Sequence, residues 1–283
     1  MRSEIISLAA FVGRDWTHGE YYDSAEQSMD TQWASVIWPI IESANFEHVV
    51  EIAAGHGRNT EKLAQVSGKI FATDINQENI EFLNERFKSS ENVEVFRNSG
   101  ADLRFIEGTS ASFVYSFDAM VHFDSDIIRS YIKEIRRILV PGGRAFCHYS
   151  GFDQNPTGTY RDHPGWRNFM SRELFEHWLT KEGFRILKSA YIQGVSVLTE
   201  DRTQSDNVTY FELPLDAEPG GEFLSSEERM HELDELSSRY RAEIATLSSE
   251  IAMLSSQLEG MKTSTSWQAT APIRWLKTKL SGR

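Results

Sequence analysis

Between residues 48 and 213, short apolar runs alternate with amphipathic stretches. This alternation constrains the fold more than any other feature of the chain. Residues 49–53, 69–73, 93–97, 112–116, 144–149, 184–192 and 207–213 have the length and apolar character of strands. Residues 59–65, 77–88, 126–140 and 172–181 carry helical spacing, and Pro141-Gly142-Gly143 closes the third of these helices. Strands joined through helices run parallel, and a parallel sheet must be covered on both faces. The pattern therefore predicts an α/β, Rossmann-like domain over residues 46–215.

The flanks read differently. Residues 1–45 form a lead-in rich in Trp and Tyr, with helical spacing from about 23 to 43. Residues 216–225 are a polar linker with a Gly-Gly pair. Over residues 226–262, Met230, Leu233, Tyr240, Ile244, Leu247, Ile251, Leu254, Leu258 and Met261 follow alternating three- and four-residue steps, broken at Ser237. That is a coiled-coil heptad, which predicts a homo-oligomer; the alternative is an amphipathic helix folded back on its own domain. Residues 263–283 form a basic tail. After Glu259 there are five basic residues and no acidic one, so residues 1–259 carry −18 against −13 for the whole chain.

This acidic balance opposes a nucleic-acid surface, which needs clustered Lys and Arg. The single Cys147 excludes an internal disulfide and a multi-cysteine zinc cluster, and reads as a small core residue. The longest apolar stretches, such as residues 5–12, are too short to span a bilayer, and the first residues lack a signal-peptide pattern. These features predict a cytosolic protein.

The strongest constellation is Glu51-Ile52-Ala53-Ala54-Gly55-His56-Gly57 at the end of the first strand. Small residues there let the backbone approach a ligand, and the next helix presents free N–H groups. Asp74 ends the second strand, where a carboxylate can accept both ribose hydroxyls of an adenosine, with Ile75 beside it. Gly100-Ala101-Asp102-Leu103 follows the third strand and can read adenine's edge. Ser116 and Phe117 close the fourth strand and can wall the other side. A dinucleotide-binding oxidoreductase would want a third glycine where this chain has Thr60, and its pyrophosphate would sit poorly beside Glu51. A cofactor with a cationic amine, such as S-adenosylmethionine, would welcome that carboxylate, although Glu51 could also simply cap a neighbouring backbone group.

With these residues in place the chain resembles class I S-adenosylmethionine-dependent methyltransferases. The motif after the first strand, the acidic end of the second, Leu139-Val140-Pro141-Gly142-Gly143, and the run from Phe113 to Phe123 carry the likeness, the last resembling bacterial glycan-modifying members. The resemblance implies a seven-stranded sheet with the last strand antiparallel, and S-adenosylmethionine bound by Glu51, Ala53, Gly55, His56, Gly57, Asp74, Ile75, Gly100, Asp102, Leu103, Ser116 and Phe117.

Methyl transfer from a sulfonium needs alignment, plus proton removal when the acceptor is a hydroxyl. His122 and His148 near the C-terminal sheet edge are candidate bases, with Asp118 the nearest carboxylate; the alternative for each His is a structural bond to backbone. His122 and Asp118 could also help hold a divalent metal, but the spacing supplies no third ligand, so no metal is assigned. The polar stretch 151–170 reads as a lid, with His163, Trp166 and Arg167 as acceptor contacts. Trp16, Tyr21 and Tyr22 fold over the cofactor or pack outside the sheet. The tail, Ser-Trp-Gln-Ala-Thr-Ala-Pro-Ile-Arg-Trp from Ser266 to Trp275, resembles a segment ending bacterial polysaccharide-assembly enzymes, and its basic amphipathic character suits a membrane surface or a glycosyltransferase. The expected activity is O-methylation of a sugar hydroxyl in a bacterial surface polysaccharide or its precursor, on the inner face of the membrane. The alternatives are a small-molecule O- or N-methyltransferase and a non-catalytic scaffold that keeps the fold.

Overall fold

The computed structural model describes residues 2–16, 19–193, 197–199, 206–218 and 226–263, which fall into two compact units, Met1–Glu222 and Phe223–Arg283. In the first unit, β1 (His48–Ile52), β2 (Lys69–Asp74), β3 (Val93–Arg97), β4 (Ala111–Met120), β5 (Leu139–Tyr149), β6 (Arg185–Gln193), β7 (Val197–Thr199) and β8 (Asp206–Glu212) form one sheet ordered β3-β2-β1-β4-β5-β8-β6-β7. The first five strands in that order pair parallel, and β8 is antiparallel to both β5 and β6.

Among the described residues the sheet has eight strands rather than the expected seven. The extra one, β7, pairs antiparallel with β6 through only three residues. Three residues in a polar stretch are too few for a period-two pattern to register. β5 also begins earlier than expected, at Leu139. Pro141-Gly142-Gly143 lies inside it as an irregularity, where Gly142 (φ +81°) donates its N–H to the Leu213 carbonyl at 2.7 Å.

Strand alternation divides the core in two. On one face Val50, Ile52, Val114, Ala145 and Cys147 pack beneath α1 (Arg2–Gly13), α7 (Ser125–Ile138) and α8 (Arg172–Lys181). α7 turns Ile127, Ile128, Tyr131, Ile132, Ile135 and Ile138 inward, and its N-terminus is capped by the Asp124 carboxylate accepting from the Asp126 N–H. On the other face Val49, Ile70, Phe113, Tyr115 and Phe146 meet Leu63 of α5 (Arg58–Ala64) and the run 29–41. That run is α3 (Met29–Gln32), a π-helical turn (Trp33–Ile37) and α4 (Trp38–Ile41). Ala54 and Ala72 pack against Leu83 and Phe87, from and just beyond α6 (Gln77–Arg86). The lead-in is thus helical but broken, with α2 (Gly19–Gln27) between α1 and α3. Buried Cys147 is the small core residue expected, and burial pushes its thiol up.

The strand order reverses between β1 and β4, and such a switch point opens a crevice at the C-terminal strand ends. The turn from β1 into α5 lies at that crevice. Gly57 there has φ +84° and precedes α5, and a Cβ on it would come within 2.6 Å of the Phe87 ring and 2.8 Å of Leu83. Gly57→Ala is expected to destabilise the domain by roughly 1–3 kcal/mol. A urea midpoint unchanged from wild type would show that the turn does not need this conformation.

Candidate active site at the sheet switch point

A cleft with about 850 Å³ of open space lies over the C-terminal ends of β1, β2 and β4. Its floor is the β1–α5 turn. Ala53 (φ +57°) and Gly55 (φ +57°) both hold left-handed backbone, strained for the alanine. Gly55 donates its N–H to Asp74 Oδ2 at 2.9 Å, tying the turn to the end of β2. A Cβ on Gly55 would lie 2.5 Å from the Tyr22 ring, and one on Gly100 2.5 Å from Ile75, so both glycines serve close approach.

Asp74 is buried, and burial raises its carboxyl above the ordinary carboxylate range. Its Oδ1 accepts from the Asn76 N–H at 2.9 Å and the Asn79 amide at 3.1 Å, which oppose that rise. The carboxylate is thereby held at the cleft wall, with Oδ1 hydrogen-bonded twice inside the protein and Oδ2, which takes the Gly55 N–H, the oxygen open to a ligand's hydroxyl. Glu51 is 2% exposed and does not line the cleft. Burial pushes its carboxyl up to about 8, although the Thr60 hydroxyl donates to it at 2.6 Å. Thr60, standing where a dinucleotide fingerprint has glycine, is therefore the partner of Glu51.

The residues expected around an adenine only partly reach the cleft. Gly100 and Ile75 line the cleft together with Asn98 and Tyr131. Asp102 lies outside the lining and pairs with Arg104 at 3.1 Å. Leu103 is core, its N–H donated to Glu134 and its carbonyl taken by Arg137. The Asn98 amide bonds Thr73 and Tyr131 at 3.2 Å, and its carbonyl holds the Gly100 N–H at 2.9 Å. Ser116 is also structural, donating to the Ile52 carbonyl at 3.3 Å, whereas Phe117 reaches the cleft.

The lead-in closes the cleft from above. Trp16, Tyr21 and Tyr22 all line it. Tyr22 donates its hydroxyl to the Trp16 carbonyl and stacks on His56 at 3.9 Å, which stacks in turn on Phe82 at 4.0 Å. Tyr21 donates to Asp118 Oδ2 at 2.7 Å, and Arg58 reaches the same oxygen at 2.6 Å. Asp118 sits at an irregularity of β4 with φ +59°, so its carboxylate is an anchor rather than a free base.

The two candidate bases differ. His148 is fully buried; its Nδ1 accepts the Asp118 N–H at 3.0 Å, and its Nε2 faces Asp206 at 3.5 Å. Nδ1 is engaged inside the protein, Nε2 has no hydrogen-bond partner among the described residues, and the fully buried ring does not line the cleft, which keeps it away from an acceptor there. His122 lines the cleft, stacked on Trp16 at 4.0 Å. Its Nδ1 lies 2.6 Å from the Trp166 carbonyl, which can only accept. Nδ1 therefore carries the proton, and Nε2 offers a lone pair. Burial pushes this imidazole down to about 4, below the near-neutral value expected, so it is unprotonated at pH 7.

The lid residues surround this pair without lining the cleft. Trp166 (φ +55°) stands edge-on to Trp16 at 5.6 Å. Arg167 forks onto Asp206, and His163 bonds the Arg167 carbonyl at 2.8 Å. Arg58, Asn79 and Asn98 are cleft residues that pattern reading passes over, because a lone Arg or Asn, on a helix for the first two and in the loop after β3 for the third, carries no periodic signal. Among the described residues no three His, Cys, Asp or Glu side chains are arranged to hold a metal ion.

A methyltransferase-domain family model matches residues 49–143. Phosphoethanolamine N-methyltransferase 1 of Triticum aestivum is 26% identical over 143 residues, covering 47% of this chain and 27% of that protein, so the chain spans about a quarter of that curated relative. Among solved structures, an S-adenosylmethionine-dependent methyltransferase from Clostridium acetobutylicum superposes with a TM-score of 0.55 at 15% identity, over 69% of this chain and 97% of that one. Geranyl diphosphate C-methyltransferase from Streptomyces coelicolor, solved with Mg2+, geranyl diphosphate and S-adenosyl-L-homocysteine, gives 0.53 at 10% identity, over 66% and 80%.

The residues present fit such a cofactor: Gly55 and Gly100 leave room, Asp74 offers Oδ2 to a ribose hydroxyl, and buried Glu51 lies beneath the turn. A carboxyl raised to about 8 keeps its proton when folded but loses it near 4.5 when unfolded, so its contribution to stability is lost as pH rises from 4.5 to 8. Glu51→Gln is accordingly expected to stabilise the free protein at pH 8.5 by roughly 1–3 kcal/mol, with little change at pH 4.5, and to weaken S-adenosylmethionine binding about tenfold. Thermal unfolding at the two pH values with calorimetric titration checks this, and equal melting shifts at both would refute the buried-acid assignment. Residues 49–143 thus match a methyltransferase-domain family model, and the chain shares the fold of solved S-adenosylmethionine-dependent methyltransferases.

Proposed function

We propose that the chain methylates a hydroxyl oxygen, with His122 as the base and a sugar of a bacterial surface polysaccharide, or its lipid-linked precursor, as the acceptor. The observation that carries this reading is the bond from His122 Nδ1 to the Trp166 carbonyl, which leaves Nε2 unprotonated beside the cleft. The cofactor supplies an electrophilic methyl group on a sulfonium. His122 Nε2 accepts the hydroxyl proton as the new carbon–oxygen bond forms. An oxygen being alkylated is far more acidic than an alcohol, so a weak base suffices. Trp16, with its buried indole N–H unpartnered among the described residues, and Trp166, 45% exposed, offer aromatic faces to a sugar ring. The likeness to a wheat N-methyltransferase supports a second reading, a small amine acceptor.

His122→Ala is expected to lower methyl transfer about a hundredfold with cofactor affinity kept within about threefold. The wild-type rate should not respond to His122 titration until pH falls towards 4. Labelled-methyl assays on glycan extracts and on small amines would separate the two readings. Full activity of His122→Ala would remove the base.

The heptad stretch lies on α9 (Ser226–Thr263), a single helix of 38 residues. Ile244, Leu247, Ile251 and Leu254 on it are between 51% and 65% exposed, which supports self-association through this seam. Removing residues 223–283 should yield a monomer that still binds S-adenosylmethionine, and an unchanged mass in light scattering would sink the coil. The tail motif and its proposed membrane or glycosyltransferase contact fall on residues 264–283, outside the described residues. Among the described residues no helix is long and apolar enough to cross a membrane.

A further inference from the structure

Asn79 is the third residue of α6, five residues after Asp74, is 1% exposed and lines the cleft. Its Nδ2 reaches Asp74 Oδ1 at 3.1 Å, the Tyr22 hydroxyl at 3.1 Å and the Trp16 carbonyl at 3.5 Å. The partners fix the orientation of the amide. A carboxylate and a carbonyl have no proton to give, and Tyr22 uses its own on the Trp16 carbonyl at 2.8 Å. Nδ2 therefore faces these three acceptors, and Oδ1 is left buried with no hydrogen-bond partner among the described residues. A buried carbonyl oxygen without a donor carries its full desolvation penalty. The three acceptors account for Nδ2 but not for Oδ1, so the unpartnered oxygen points to a donor arriving from the cleft. The neighbouring carboxylate is the one placed for a ribose.

We propose that Asn79 Oδ1 accepts a hydrogen bond from one ribose hydroxyl of the cofactor, while Nδ2 holds the Tyr22 and Trp16 ends of the lead-in. One side chain then reads the sugar and fastens the cap above it. The ligand class is a nucleoside with a free vicinal diol. The inference rests on the cofactor reading above.

The test is calorimetric titration of the full chain with S-adenosylhomocysteine and its 2′-deoxy and 3′-deoxy analogues. Asn79→Ala should weaken the parent about tenfold, and should shrink the penalty for losing one of the two hydroxyls to under about threefold while leaving the other intact. Asn79→Ser gives the same readout should the alanine variant fail to fold. Tyr22→Phe acts on the cap, so it should weaken all three ligands equally. Both deoxy penalties surviving at full size in the Asn79 variants, or a ligand-selective effect of Tyr22→Phe, would overturn the assignment. Asp74→Ala separates the two levels. Loss of binding there supports the cofactor reading, whereas undiminished binding, or no binding by wild type, overturns that reading and this inference with it.

Discussion

The site depends on the Arg58–Asp118 pair. Arg58 follows the glycine turn, and its guanidinium bonds Asp118 at 2.6 Å, Gln32 at 2.8 Å and the Ala25 carbonyl at 3.1 Å. It thereby joins the start of α5, the end of β4 and the lead-in. Tyr21 adds a hydroxyl to the same Asp118 oxygen. Both ionic side chains are about 9% exposed, so either one alone would be an uncompensated buried charge. The left-handed backbone of Asp118 is held by this pairing and by its N–H on His148. That conformation in turn places the β4–α7 turn, which carries His122.

Desolvation then assigns the ionisable groups their states. Glu51 at about 8 and His122 at about 4 are pushed in opposite directions by the same cause, because burial disfavours whichever form is charged. At neutral pH the free site therefore holds a protonated acid beneath the turn and an unprotonated imidazole at the acceptor side.

Much of this was legible in sequence because it rests on periodicity and on glycine. The parallel strands, the β1–α5 turn and Asp74 at the end of β2 all follow from local patterns. Asp102 and Leu103 lie outside the cleft lining, which a loop's composition does not reveal; their contacts with Arg104 and Glu134 turn them away from it. His148 lies on a strand, and alternation shows which face it takes but not that Asp206, 58 positions later, lies opposite. The three-residue β7 and the tie between Asn79 and the lead-in likewise depend on residues distant in sequence.

The same division separates cofactor from acceptor. Gly55, Asp74, Asp118 and His122 fall within residues 49–143, the stretch matched by the family model. Trp16 and Tyr21 precede that stretch, while Trp166, Arg167 and Asp206 follow it. Trp16 meets His122, Tyr21 and Trp166, and the Asp15 carboxylate takes the Arg161 guanidinium at 2.7 Å, so lead-in and lid are joined to each other as well as to the sheet. The shared domain thus supplies the cofactor's wall and the imidazole, and segments outside it set that imidazole's tautomer and surround it with rings. Proteins alike over the sheet alone can for that reason differ in the acceptor they methylate.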